Sequence, residues 1–194
     1  MKYKLYKILT FSDRLQLISR FPLFLKCYIN SKINFLFQKD KILLCTISND
    51  IFFPGTLAML FSMKKHLKNF NQTKIRIFCD NEISILSDKN RVLLKQIGKN
   101  IEIIDINQNI YRTVKVKSEE HRLAYLTLEI FNQTDFNNIV FFDGDMLTLK
   151  DFSDSFNFSF PVFGCKVGKF SLKNKADLKW KFINTGFFGI SRKL

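Results

Sequence analysis

Two carboxylates separated by one glycine, Asp143-Gly144-Asp145, stand directly after the apolar run Ile139-Val140-Phe141-Phe142. Four consecutive large apolar residues suit a fully buried strand. Carboxylates at the end of such a strand are costly to hold near a core unless a cation compensates them. A divalent ion bound by hard oxygen ligands is the natural compensator, which makes Asp143 and Asp145 candidate metal ligands. Asp and Gly are also ordinary turn formers, so a plain strand-ending turn is the competing reading. A second polar cluster, Ser48-Asn49-Asp50, follows another apolar run, residues 42–47. Its side chains suit hydrogen bonds to a base or ribose, and Phe52 or Phe53 suits stacking on a base.

These clusters need a scaffold that brings strand ends together. The strand pattern at 42–47 precedes a helix over 53–70, opened by Pro54 near its first turn. A strand at 74–79, a helix at 84–97 closed by Gly98 and a strand at 101–106 come next. A helix over 118–132 carries Glu119 and Glu120 in its first turn, where they suit the helix dipole. It leads into the strand ending at Asp143. Alternation at this spacing implies an α/β fold with a mostly parallel central sheet flanked by helices. In such sheets ligands bind at the carboxyl ends of strands, where both polar clusters fall. The remainder is less regular: a turn or short helix at 151–156, a strand at 161–167, a lysine-rich loop at 168–181 and a buried strand at 182–190 containing Asn184-Thr185-Gly186.

With 194 residues, 46% of them hydrophobic, the chain holds one domain with a real core and is not a disordered polymer. The formal charge of +14 points to an anionic partner. Lysines spread along the whole chain, with no basic-aromatic module, argue against nucleic acid. Cys27, Cys45, Cys79 and Cys165 lack the C-x-x-C or Cys/His spacing of a zinc site. They read as free thiols in a reducing compartment, and no apolar run is long enough to span a bilayer. A cytoplasmic protein is expected. Residues 1–40 form a basic amphipathic extension, eight Lys and Arg against Asp13 and Asp40, interleaved with large apolar residues. It suits either peripheral contact with an anionic membrane, at its inner face, or packing on the main domain, residues 41–194.

The ordered set of segments resembles nucleotide-sugar glycosyltransferases of the GT-A (Rossmann-like) fold, in particular glycosyltransferase family 8, the glycogenin and bacterial lipopolysaccharide glycosyltransferase group. Cys45-Thr46-Ile47-Ser48-Asn49-Asp50-Ile51-Phe52 looks like that family's first strand and nucleotide loop, residues 55–66 like its following helix, residues 126–149 like the approach to its D-x-D motif, and residues 182–188 (F-I-N-T-G-F-F) like its F-N-S-G segment. The resemblance implies a UDP-sugar donor bound through Thr46, Ser48, Asn49, Asp50, Phe52, Arg122 and Gly144. It implies Mn(II) or Mg(II) on Asp143 and Asp145, with Asn184 and Asp145 at the reacting centre. It further implies transfer of a hexose, with retention, to a glycan, lipid-linked glycan or lipopolysaccharide-type acceptor. The family's third metal ligand, a later histidine, has no counterpart before Leu194. A truncated catalytic domain is therefore expected, with an inactive nucleotide-sugar- or glycan-binding fragment as the alternative.

Overall fold

The computed structural model describes residues 42–107, 111, 115, 122–156, 158, 160–166 and 183–192. The 1–40 extension, the 168–181 loop, Cys27 and the start of the 118–132 segment, including His121, lie outside the described residues. The strands are β1 (Ile42–Ile47), β2 (Lys74–Asp80), β3 (Ile101–Ile106), β4 (Asn138–Phe142), β5 (Val162–Lys166) and β6 (Ile183–Ser191). They form one sheet in the order β3-β2-β1-β4-β6-β5. β1 to β4 are mutually parallel, while β6 pairs antiparallel to both β4 and β5.

β4 lies between β1 and β6, and all five of its residues are buried, as expected of a strand covered on both faces. Alternate side chains feed two cores. On one face Leu44, Ile75, Ile77, Val140 and Phe142 pack against helices α1 (Phe53–His66) and α2 (Asp88–Ile97). On the other, Leu43, Cys45, Phe78, Ile139 and Phe141 pack against Leu123, Leu126 and Ile130. Each such large side chain withdrawn from water contributes about 1.5–3 kcal/mol.

The helices differ from expectation in instructive ways. The 53–70 pattern divides into α1 and a 3-10 turn, Phe70–Gln72, because the chain leaves helical geometry at Leu67. α2 starts at Asp88, four residues later than expected, because residues 80–87 fold as a loop around the Asp80 carboxylate. Residues Ala124–Asn132 are a 3-10 helix. Leu123, Leu126 and Glu129 are buried at three-residue intervals, the period of that helix. Among the described residues no helix is long and apolar enough to cross a membrane.

Candidate functional site

β1 and β4 are parallel neighbours, so both polar clusters emerge at the same edge of the sheet. There a cleft of about 360 Å³ is lined by Ile47, Ile51, Phe52, Gly55, Leu123, Ala124 and Asp143-Gly144-Asp145. The carboxylate turn lies backbone to backbone on the first turn of α1. A methyl at Gly55 would sit 2.8 Å from the Gly144 carbonyl oxygen, and one at Gly144 would sit 2.8 Å from the Thr56 hydroxyl. No described glycine has a positive φ, so these residues serve close approach and not left-handed backbone. α1 carries no acidic residue in its first turn and no side-chain cap. The positive end of its dipole therefore carries no negative side chain of its own beside the cleft, a setting that favours an anion.

The antiparallel strand β6 supplies the far wall. Phe142 pairs with Phe187, so the next residue along β4, Asp143, meets Gly186 and donates its N–H to the Gly186 carbonyl at 2.7 Å. The Asp143 carboxylate passes directly over Gly186: a methyl there would lie 2.5 Å from Asp143 Oδ2 and 3.1 Å from Asn184 Oδ1. Asn184 Oδ1 accepts the Gly186 N–H at 2.8 Å, which leaves its amide nitrogen to meet a ligand. Partial withdrawal from water, then the neighbouring Asp145 charge, push the Asp143 carboxyl above the usual carboxylate range. Among the described residues no side chain donates to either carboxylate. Two adjacent carboxylates with no protein donor among the described residues are a donor set suited to a hard divalent cation. Among the described residues, no group of three or more His, Cys, Asp or Glu side chains converges into a larger ligand set.

Phe52, Asp143, Gly144 and Asp145 are thus brought together at the cleft, with Asn184 beside them. The other residues proposed from sequence surround them without lining it. Thr46 and Ser48 are buried, and the Ser48 and Thr56 hydroxyls are 2.9 Å apart. Asn49 is buried; it donates to Ser84 Oγ at 2.5 Å and accepts the Phe52 N–H at 2.8 Å. Asp50 Oδ1 accepts the Ser87 N–H and the Asn90 amide, both at 2.8 Å, at the start of α2. The Ser87 N–H, and next the Asn90 amide, hold the Asp50 carboxyl below its ordinary value. Arg122 donates to the Tyr111 carbonyl at 2.6 Å, one residue ahead of the cleft-lining Leu123 and Ala124.

Four residues that sequence reasoning passed over help to build the site. Thr56 holds the Phe52 carbonyl through its N–H (3.0 Å) and its hydroxyl (3.2 Å). Gly186 makes room for Asp143, while Asp80 and Ser84 brace Asn49. The only signal available for Gly186 was its place in the N-T-G segment. Thr56 offered none, since a buried threonine in a first helical turn reads as packing.

No protein-family model matches the chain, and no curated protein matches it. Solved structures do. One is a galactosyltransferase LgtC in complex with donor and acceptor sugar analogs, 17% identical, TM-score 0.61, covering 78% of this chain and 58% of that one. Another is the WbbM bifunctional glycosyltransferase in its apo form, 15% identical, TM-score 0.54, covering 81% and 32%. A third is the glycosyltransferase GlyE of Streptococcus pneumoniae TIGR4, 12% identical, TM-score 0.52, covering 80% and 35%. The chain therefore spans less than two thirds of the length of each of these three structures. Identity this low carries the fold: the chain has the GT-A fold.

Proposed function

We propose that this chain is the donor-binding part of a metal-dependent glycosyltransferase akin to family 8. It would transfer a hexose from a UDP-sugar, with retention, to a glycan or lipopolysaccharide-type acceptor. The observation that carries the proposal is that Asp143 and Asp145 line one cleft with Phe52 at its lip and Asn184 beside Asp143 across Gly186.

Within this reading Phe52, nearly half exposed, stacks on the uracil ring. Thr46, Ser48 and Asn49 hold the nucleotide loop that carries that ring, the exposed Asp50 meets the nucleoside, and Arg122 stands near the donor. Gly144 and Gly55 let the carboxylate turn close on the first turn of α1, beside which the diphosphate lies. Asn184 hydrogen-bonds the donor sugar near its anomeric carbon. Asp143 and Asp145 would hold Mn(II) or Mg(II), which when bound supplies positive charge against the departing diphosphate. Residues 1–40 would keep the enzyme at the inner, cytoplasmic face of an anionic membrane.

Thermal shift with UDP, GDP and ADP, each with and without Mn(II), is the direct test. Stabilisation by UDP and Mn(II) together is expected, and it disappears in Asp143→Asn and Asp145→Asn. Equal stabilisation by UDP in EDTA would overturn the metal role of the carboxylates. Hydrolysis of UDP-sugars then separates an active transferase from a fragment that binds its donor without turning it over.

A further inference from the structure

The loop after β2 closes against the back of the nucleotide loop, and their junction is polar and buried. Asp80, 1% exposed, accepts the Glu82 N–H on Oδ1 at 3.0 Å and the Ser84 N–H on Oδ2 at 3.0 Å, with the Ile83 N–H at 3.4 Å. A buried carboxylate shared among backbone donors fixes the loop that supplies them. That loop presents Ser84 Oγ to the Asn49 amide at 2.5 Å. Asn49 is buried as well, and its Oδ1 accepts the Phe52 N–H at 2.8 Å. The backbone bond from Asp50 N–H to the Ile85 carbonyl, 3.1 Å, fixes the register of the two loops. A single chain of contacts therefore runs from the end of β2 to the aromatic ring at the cleft lip.

We propose that Ser84 is a positioning residue that seats Phe52 through the Asn49 amide and thereby sets the affinity of the cleft for the base of a nucleotide. This rests on the nucleotide-sugar reading above. Ser84 touches no ligand. Without its hydroxyl the Asn49 amide loses its acceptor, the side chain is free to turn, and Oδ1 releases the Phe52 N–H. A base that stacks on a displaced ring binds less tightly, whereas the diphosphate end of the cleft is untouched. Stacking of one base on an aromatic side chain is worth about tenfold or more in affinity, so partial loss of the seat is expected to cost about tenfold.

Calorimetric titration with UDP and, separately, with inorganic pyrophosphate, both in Mn(II), tests the proposal on the full chain. Ser84→Ala is expected to weaken UDP about tenfold and to leave pyrophosphate within about twofold. Ser84→Thr, which keeps an acceptor oxygen, is expected to restore UDP affinity. In a Phe52→Ala background, Ser84→Ala is expected to add nothing, because both changes act on one ring. Ser84→Cys, a poorer acceptor of similar shape, gives a smaller loss of the same kind and carries the test if the alanine variant unfolds. UDP affinity unchanged in Ser84→Ala, equal weakening of pyrophosphate, or a full second loss in the Phe52→Ala background would each overturn the positioning role. A wild-type protein that binds pyrophosphate but not UDP would instead overturn the nucleotide-sugar reading.

Discussion

Gly186→Ala is the perturbation that best isolates the proposed metal site. The added methyl would lie 2.5 Å from Asp143 Oδ2, 3.1 Å from Asn184 Oδ1 and 3.3 Å from Asp143 Cγ. The nearest atom is the far end of a short side chain, so rotation of the carboxylate relieves the clash more cheaply than movement of β6. A carboxylate turned about 30° from its rotamer costs about 0.5–1.5 kcal/mol. Gly186 has no positive φ, so alanine fits its backbone and gains about 0.4–1 kcal/mol by restricting the unfolded chain. These two effects nearly cancel, and Tm is expected to stay within about 3 °C of wild type, at about 2–4 °C per kcal/mol for a chain of this size. Ligand binding behaves differently. Rotation carries Asp143 out of the pair it forms with Asp145, and loss of one charged ligand is expected to lower UDP affinity in Mn(II) at least tenfold, about 1.4 kcal/mol. The assay is paired thermal unfolding and titration calorimetry. UDP affinity within twofold of wild type, at unchanged Tm, would refute the claim that the place of Asp143 over Gly186 matters.

Other outcomes follow from the same geometry. Thr56→Val removes the hydroxyl partner of the buried Ser48 and one of the two donors to the Phe52 carbonyl, at about 1–3 kcal/mol, so thermal unfolding should fall by several degrees. An unchanged Tm would remove Thr56 from its supporting role. Asp50 titrates below its ordinary value when folded, so its contribution to stability is present above the unfolded carboxylate pKa, about 3.9, and is lost as pH falls through the lowered folded value. Its exposure keeps that contribution small. Asp50→Asn should lower the urea midpoint at pH 7 and match wild type near pH 2, while a gap independent of pH would refute the sign; UDP affinity of the same variant tests its proposed contact with the nucleotide. Burial pushes the Cys79 thiol up to about 12 and raises that of Cys45 as well, whereas Cys165 is exposed. A disulfide reagent at pH 8 should therefore label Cys165 in the native protein and reach Cys45 and Cys79 only in denaturant, as peptide mass spectrometry would report.

Much of the scaffold was legible because burial writes a local pattern. The β4 run ends in two carboxylates, and β1, β2 and β3 are similarly short apolar runs between helix signals. What stayed hidden depends on contacts between distant residues. Leu123, Leu126 and Ile130, spaced three and four apart, read as an α-helical face, and the three-residue period shows only once Glu129 is seen to be buried. Residues 84–87 read as the start of a helix until Asp80 is seen to hold the Ser84 N–H in a loop. Ser48 and Asn49 look like ligand contacts, yet both are spent on neighbouring side chains, a choice that depends on Thr56 and Ser84 arriving from elsewhere. The D-G-D turn could be found from its own residues. In its wall, Asn184 was reached through resemblance alone and Gly186 was passed over, because antiparallel pairing across some forty residues leaves no local trace.

That pairing turns a strand-ending turn into a candidate site. A parallel strand beside β4 would send its own C-terminal loop to this edge, whereas β6 begins there and runs away, placing its first polar residues against the carboxylates. The register is held by the cores. Phe187 packs on Phe142 with ring centroids 5.1 Å apart on the α1 side, and Phe188 packs on Phe141 at 5.6 Å on the opposite side. A slip of one residue would turn both rings to the wrong face, forfeiting about 1.5–3 kcal/mol for each, and would replace Gly186 with a side chain under Asp143. Two packed aromatic pairs with no part in the chemistry thus fix, to within one residue, which backbone lies beneath the carboxylate.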